Sequence, residues 1–317
     1  MNDGLATVFG GSGFIGRHIV RRLAAEGWRL RVAVRDPEAG SFLKPMGEPG
    51  QVAVVQANLR DDASCTAALA GADLAINCVG LLFERGAQSF EAVHAEGAGR
   101  VAQAAAAAGA RQFVQLSALG AAADSPARYG PSKWAGEEAV RQAFPAAAIV
   151  RPSVVFGPDD EFFNRLALLA SLSPVLPLFG PNPFDAGNTL FQPLYVGDVA
   201  EAVVRIVAGR QSGVFELGGP EILSYRQIME LVLAHTGRRA LLVPLPFALA
   251  RMTAFFFELM PKPLVTRDQL RLMEVDNVVG QGLPGLAELG LRPTPIGSKL
   301  PDYLARFARG GLAPTVA

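Results

Sequence analysis

Gly10-Gly11-Ser12-Gly13-Phe14-Ile15-Gly16 is the stretch on which the reading of this chain turns. It follows an apolar run, Leu5–Phe9, and opens an amphipathic segment, Phe14–Glu26. A strand, a glycine turn and a helix in that order form the phosphate-binding unit of a dinucleotide fold, where the helix N-terminus offers free amides and a positive dipole end. Gly10 allows the tight turn, Gly13 lets backbone approach a pyrophosphate, and Gly16 permits close packing of helix on strand. The spacing is Gly-x-x-Gly-x-x-Gly rather than Gly-x-Gly-x-x-Gly. A plain strand-to-helix turn does not call for three glycines, since each costs about 0.5–1 kcal/mol relative to alanine at a helical position. All seven residues of the stretch, Gly11, Ser12, Phe14 and Ile15 included, are therefore expected to line a dinucleotide.

The ribose-reading position comes about 20 residues past the last glycine, at the end of the second strand. Here the chain reads Val34-Arg35-Asp36-Pro37. An acid at that point favours a free 2′-hydroxyl; an arginine favours a 2′-phosphate by charge and bidentate geometry. Arg35 comes first, which predicts NADPH rather than NADH. The alternative is a solvated Arg35–Asp36 pair at a loop start. Arg17 offers either a second cation near the phosphate or an exposed helix face. Asn58 and Leu59 follow the third strand, where an adenine ring would lie. Val79 and Gly80 end the fourth, where glycine lets backbone approach the cofactor.

The rest of the chain suits this reading. Apolar runs at Leu30–Val34, Val52–Gln56, Leu74–Cys78 and Phe113–Leu116 alternate with helical patterns at Asp61–Ala70, Phe90–Ala108 and Ala127–Ala143. Such alternation predicts an α/β fold, a Rossmann-type doubly wound parallel sheet with helices on both faces. After Arg151 the pattern loosens. Ser173–Gln192 reads as a long loop, Val199–Ala208 as a helix, Val214–Leu217 as a strand and Tyr225–Thr236 as a helix, with a mainly helical C-terminal lobe beyond. The expected core is 1–155 completed by 190–220, and the smaller lobe is 156–189 with 221–317.

Charge excludes one class of partner. With 29 basic and 29 acidic residues, nothing favours nucleic acid. Cys65 and Cys78 lack metal-site spacing and are too few for a disulfide framework, so no metal is expected and a reduced compartment is. His18, His94 and His235 have no partner spacing and read as structural or surface residues. The start, Met1-Asn2-Asp3-Gly4, has no basic n-region. Ala240–Met260 is the most apolar stretch, but Pro244, Pro246, Arg251 and Glu258 interrupt it, so it reads as a strand, a turn and an amphipathic helix rather than a bilayer span.

Chemistry enters with Tyr129-Gly130-Pro131-Ser132-Lys133. A phenol and an ammonium four residues apart share one helix face. The lysine is expected to lower the phenol's pKa for general acid–base work and to hydrogen-bond a nicotinamide ribose. Ser117, just past the fifth strand, offers a hydroxyl to a substrate carbonyl. These residues resemble the short-chain dehydrogenase/reductase superfamily, in its extended or atypical branch. The resemblance implies Tyr129, Lys133 and Ser117 as a catalytic triad. It also implies that Arg151-Pro152-Ser153-Val154-Val155 flanks the nicotinamide, with Pro152 and Val154 contacting the cofactor. Extended members carry adjacent serines and a Tyr-Gly turn after the fifth strand; Leu116-Ser117-Ala118-Leu119-Gly120 departs from that and points to the atypical branch.

Longer strings narrow the resemblance. Ile76-Asn77-Cys78-Val79-Gly80-Leu81-Leu82, Arg151-Pro152-Ser153-Val154-Val155-Phe156-Gly157-Pro158, Phe191-Gln192-Pro193-Leu194-Tyr195-Val196-Gly197-Asp198, Glu216-Leu217-Gly218-Gly219 and Thr266-Arg267-Asp268-Gln269 together resemble the NADPH-binding accessory subunits of respiratory complex I, the alpha-subcomplex subunit 9 family, in bacterial form. That resemblance implies a tightly held, structural NADPH. It also implies partners among the complex I subunits near the quinone site, and a peripheral place on the cytoplasmic, inner face of the cell membrane. The aromatic-rich segment 246–260 fits either a membrane-interface or partner contact, or the packed face of the lobe. The competing expectation is an active NADPH-dependent reductase or dehydrogenase on a small hydrophobic carbonyl or alcohol.

Overall fold

The computed structural model describes residues 4–260 and 263–308; the start at Met1–Asp3 and the last residues of the expected lobe 221–317 lie outside them. The chain separates into two compact units. One runs to Pro152 and takes in Val196–Leu217 and Gln281–Arg292; the other comprises Ser153–Tyr195, Gly218–Gly280 and the chain from Pro293.

The first unit is built on a seven-stranded parallel sheet. Its strands are β1 (Leu5–Phe9), β2 (Arg29–Val34), β3 (Val52–Gln56), β4 (Leu74–Asn77), β5 (Gln112–Leu116), β6 (Ala148–Pro152) and a last strand, Gly213–Leu217. In space they run from the last strand through β6, β5, β4, β1 and β2 to β3. The register pairs Val8 with Val32 on one side of β1 and with Ile76 on the other. The strand order reverses between β1 and β4. In doubly wound sheets, ligands bind outside the carboxyl ends of the strands at that reversal.

Helices α1 (Phe14–Ala25), α2 (Asp62–Leu69), α3 (Glu96–Ala107) and α4 (Tyr129–Ala143) supply the crossovers, and Val196–Ala208 follows β6. The inner strands are buried almost throughout, as parallel strands covered on both faces must be. The edge strand β3 keeps only Val52 buried, because a sheet edge has one neighbour. Small residues let α3 and α4 approach closely. A Cβ on Gly99 would lie 3.0 Å from that of Ala139, and one on Gly136 only 2.0 Å from the His94 carbonyl oxygen. Ala98, Val101, Ala102 and Ala105 of α3 join Phe113, Val140 and Phe144 in one core cluster.

The continuous helix expected over Phe90–Ala108 is in fact a π-helical turn, Glu91–Ala95, feeding α3. The wider turn accommodates one extra residue, which places His94 inside.

The second unit has a separate core around Phe156, Phe163, Leu178, Phe191, Tyr225, Ile228 and Leu304. Helices Phe163–Leu172, Tyr225–Thr236, Phe247–Phe257, Arg267–Leu272 and Leu300–Leu304 form most of it. Ser173–Gln192, expected as a loop, contains a strand, Val175–Gly180, paired in parallel with Leu241–Pro246. Local composition hid this strand because its partner lies more than sixty residues away in sequence. Pro177, Pro244 and Pro246 are tolerated in it because a two-stranded ribbon consists only of edges. Residues 273–295, within the mainly helical lobe, contain no helix. Buried Asp160 ties the lobe together: it accepts the Tyr303 hydroxyl at 2.7 Å and the Gly157 and Asn164 amides at 3.0 and 3.1 Å.

Candidate functional site

The glycine stretch leaves the carboxyl end of β1 at the point of strand reversal. Gly10 sits at φ +72°, where a side chain is strained, and a Cβ on it would lie 3.0 Å from a Val79 methyl at the end of β4. At Gly16 a Cβ would lie 2.3 Å from the Gly10 carbonyl oxygen, so α1 can start this close to the turn only with glycine there. Gly13 caps α1 without a side-chain hydrogen bond, and the first turn holds no acid. The positive end of the helix dipole is thus met by no side chain of its own, the condition under which it favours an anion. Arg17 donates to the Ser12 and Gly13 carbonyls at 3.1 and 3.2 Å and lies over the Phe42 ring, so it braces the loop.

Arg35 stands exposed at the carboxyl end of β2, with no hydrogen bond or ion pair among the described residues. Its neighbour Asp36 is engaged: Oδ1 accepts the Glu38 and Ala39 amides at 3.0 and 3.2 Å. Past β3, the Asn58 carbonyl side chain accepts the Arg60 amide at 3.1 Å, while Leu59 is buried in the space that Gly97 leaves open. Past β4, the Val79 amide donates to buried Asn77 at 3.1 Å. A Cβ on Gly80 would lie 3.2 Å from the Lys133 ammonium nitrogen.

Tyr129 and Lys133 project from the first turns of α4. Lys133 is buried, donates to the Leu116 carbonyl at 3.3 Å, and has its nitrogen 5.9 Å from the Tyr129 ring centre. Burial lowers its pKa to about 8, with Glu137 acting in the opposite sense. The expectation that Lys133 acidifies the phenol is not met. Burial pushes the Tyr129 phenol upward although part of its surface remains accessible. A lysine that titrates at about 8 has lost its charge before a phenol ionises, so it does not offset the burial. Gly130 is required next to Tyr129, since a Cβ there would lie 2.4 Å from the Ser125 side chain.

Ser117 donates to Glu137 Oε1 at 2.6 Å. Glu137 has no solvent exposure and receives both nitrogens of the Arg151 fork, at 2.8 and 2.6 Å, and Arg141 at 3.0 Å. Tyr129, Lys133 and Glu137 therefore form one face of α4. Its inner end is a buried ion-pair network, with Trp134 beneath both guanidinium groups. Pro152 ends β6 in the first unit; Val154 belongs to the second, where its amide donates to Asn277 at 3.0 Å. Sequence reasoning passed over Glu137, although its place four residues after Lys133 marks it on the same face. His94, expected as a structural or surface residue, is buried against Tyr129, and so is Ser132, to which the sequence assigned no role. Among the described residues no group of His, Cys, Asp or Glu is arranged to hold a metal.

Residues 6–218 match the NAD dependent epimerase/dehydratase family. Nearly the whole chain, 97%, aligns at 33% identity with 79% of the mitochondrial NADH dehydrogenase (ubiquinone) 1 alpha subcomplex subunit 9 of Arabidopsis thaliana. The chain belongs to that family and, within it, to the subunit 9 group. A ceramide reductase of Caulobacter vibrioides is 42% identical over 175 residues, 55% of this chain and 54% of that protein. Among solved structures, the dTDP-glucose 4,6-dehydratase DesIV of Streptomyces venezuelae, with NAD bound, superposes with a TM-score of 0.70 at 19% identity. It covers 96% of both chains, a likeness of fold.

Proposed function

We propose that this protein is an NADPH-binding accessory or assembly subunit of an NADH:quinone oxidoreductase, with the dinucleotide serving the fold rather than turnover. The full-length likeness to the subunit 9 proteins carries this reading. The preference for NADPH is supported by Arg35, whose guanidinium has no partner among the described residues, and by Asp36, whose carboxylate already caps the turn that follows. Its partners are complex I subunits near the quinone site, on the inner face of the cell membrane. Segment 246–260 contributes an exposed apolar surface suited to a membrane interface. Gly10, Gly11, Ser12, Gly13, Phe14, Ile15 and Gly16 hold the pyrophosphate. Asn58 and Leu59 are assigned to the adenine, and Val79, Gly80, Tyr129, Lys133 and Pro152 to the nicotinamide.

The test is purification from mild-detergent extracts of native membranes, followed by native electrophoresis. The protein is expected to migrate with complex I; recovery only as a free protein would sink the reading.

Two observations favour a second reading. The Tyr129–Lys133 pair is intact in geometry, and a relative 42% identical over 175 residues is a ceramide reductase. In this reading the bound dinucleotide would supply the hydride that reduces the carbonyl of a hydrophobic substrate. Tyr129 donates the proton to its oxygen, Lys133 holds the ribose, and Ser117, whose own proton goes to Glu137, lines the site. NADPH oxidation with a panel of long-chain ketones, lost in Tyr129→Phe, would establish it.

A further inference from the structure

His94 is buried, 2% exposed, in the π-helical turn before α3, and the chemistry proposed above does not use it. Its Nε2 accepts the Leu81 amide at 2.8 Å, so the ring proton resides on Nδ1. Nδ1–H donates to the Ser132 hydroxyl at 2.9 Å, and that hydroxyl donates to the Tyr129 carbonyl at 2.7 Å. The ring stacks on Phe90 at 5.3 Å and meets the Tyr129 ring edge-on, also at 5.3 Å. Burial, reinforced by the Lys133 charge, lowers its pKa to about 2. The imidazole is therefore neutral, the only form that can accept from Leu81 while donating to Ser132. Two features fit the histidine to this place. The π turn brings it inward, and Gly136 leaves room for its carbonyl.

The hydrogen-bonded chain joins two segments that no strand or helix connects directly, the loop after β4 and the first turn of α4. We infer that His94 is a positioning residue, a neutral clasp that fixes Val79-Gly80-Leu81 against Tyr129 and Lys133 so that the nicotinamide end of the dinucleotide meets a preformed surface. This rests on the NADPH reading above. The adenosine end and the phosphates are assigned to other residues, Asn58, Leu59, Arg35 and the glycine loop, none of which hydrogen-bonds His94.

That separation supplies the test. Wild type, His94→Asn, His94→Gln and Ser132→Ala are titrated calorimetrically with NADPH and with 2′,5′-ADP, which carries the adenosine half alone. An asparagine amide reaches the place of Nδ1 but not of Nε2; a glutamine amide reaches Nε2. His94→Asn is expected to weaken NADPH about tenfold, the effect of one buried hydrogen bond, with 2′,5′-ADP changed less than about twofold. His94→Gln, which keeps the Leu81 bond but breaks the one to Ser132, is expected to show a loss of the same selectivity. Ser132→Ala removes a single oxygen and shows the same selective loss, so it carries the test if His94→Asn does not fold. Equal losses for both ligands, or no loss for either, overturn the clasp. A wild type that binds neither ligand overturns the cofactor reading instead.

Discussion

Glu137 illustrates how one side chain can organise a site it never enters. It is a carboxylate with no exposed surface, matched by the Arg151 fork, Arg141 and the Ser117 hydroxyl. Removing one member of a buried ion pair strands the other charge. Glu137→Ala is therefore expected to cost about 3–5 kcal/mol of unfolding free energy, and Glu137→Gln, which keeps the shape, clearly less. Urea denaturation of both variants measures this; a loss under about 1 kcal/mol for the alanine variant, the range of exposed pairs, would show that the network is not effectively buried. At this scale the sequence was half legible. The spacing of Tyr129, Lys133 and Glu137 places them on one helix face. Arg151 is unconnected by any local pattern, because it meets Glu137 only when β6 is laid beside the end of α4.

Among the elements, the helix Phe247–Phe257 has both a packed and an exposed apolar face. Phe247, Ala250 and Ala254 face inward with Leu270, at the i, i+3, i+7 spacing of a packed stripe. Leu249, Met252 and Phe256 face outward, at 52%, 65% and 66% exposure, and Leu259 continues that surface at 75%. Periodicity could not choose between core and interface because both faces are apolar. Among the described residues no helix is long and apolar enough to cross a membrane, so the contact proposed for this segment lies in the interface plane. Replacing Leu249 and Phe256 together by aspartate is expected to abolish co-sedimentation with phospholipid vesicles. Thermal stability should hold within about 0.5 kcal/mol per site, as for exposed positions elsewhere. Unchanged sedimentation would remove the membrane contact from the proposal. The π turn at Glu91–Ala95 is the opposite case: Phe90–Ala108 reads as unbroken helix, and only packing of His94 against Ser132 and Leu81 selects the wider turn.

For the molecule as a whole, a structural cofactor has a thermodynamic signature. A ligand that binds only the folded state at one hundred times its Kd stabilises it by about 2.7 kcal/mol. NADPH is therefore expected to raise the melting temperature of the first unit by several degrees. Arg35→Ala should remove most of that rise for NADPH while leaving the smaller rise with NADH unchanged. Equal losses with both dinucleotides would refute the 2′-phosphate role, and no rise with either would refute a structural cofactor. The two-unit division was also only partly legible. Strand–helix alternation marked the sheet as far as Pro152, but nothing in composition assigns Gln281–Arg292 to the first unit, which it joins where the Glu216 amide donates to the Pro284 carbonyl at 3.0 Å.

By itself the sequence determined the parallel sheet, because its apolar runs and helical periods are local properties of the chain. It likewise determined the glycine turn, because Gly10 and Gly16 occupy positions where a side chain has no room. Tertiary structure alone decided the surroundings of Tyr129. Lys133, His94, Ser132 and Glu137 come from segments up to forty-three residues apart, and burial moves the Tyr129 phenol up and the Lys133 ammonium down. Desolvation and long-range hydrogen bonds arise only where the folded chain excludes water, and no local pattern of residues encodes that exclusion.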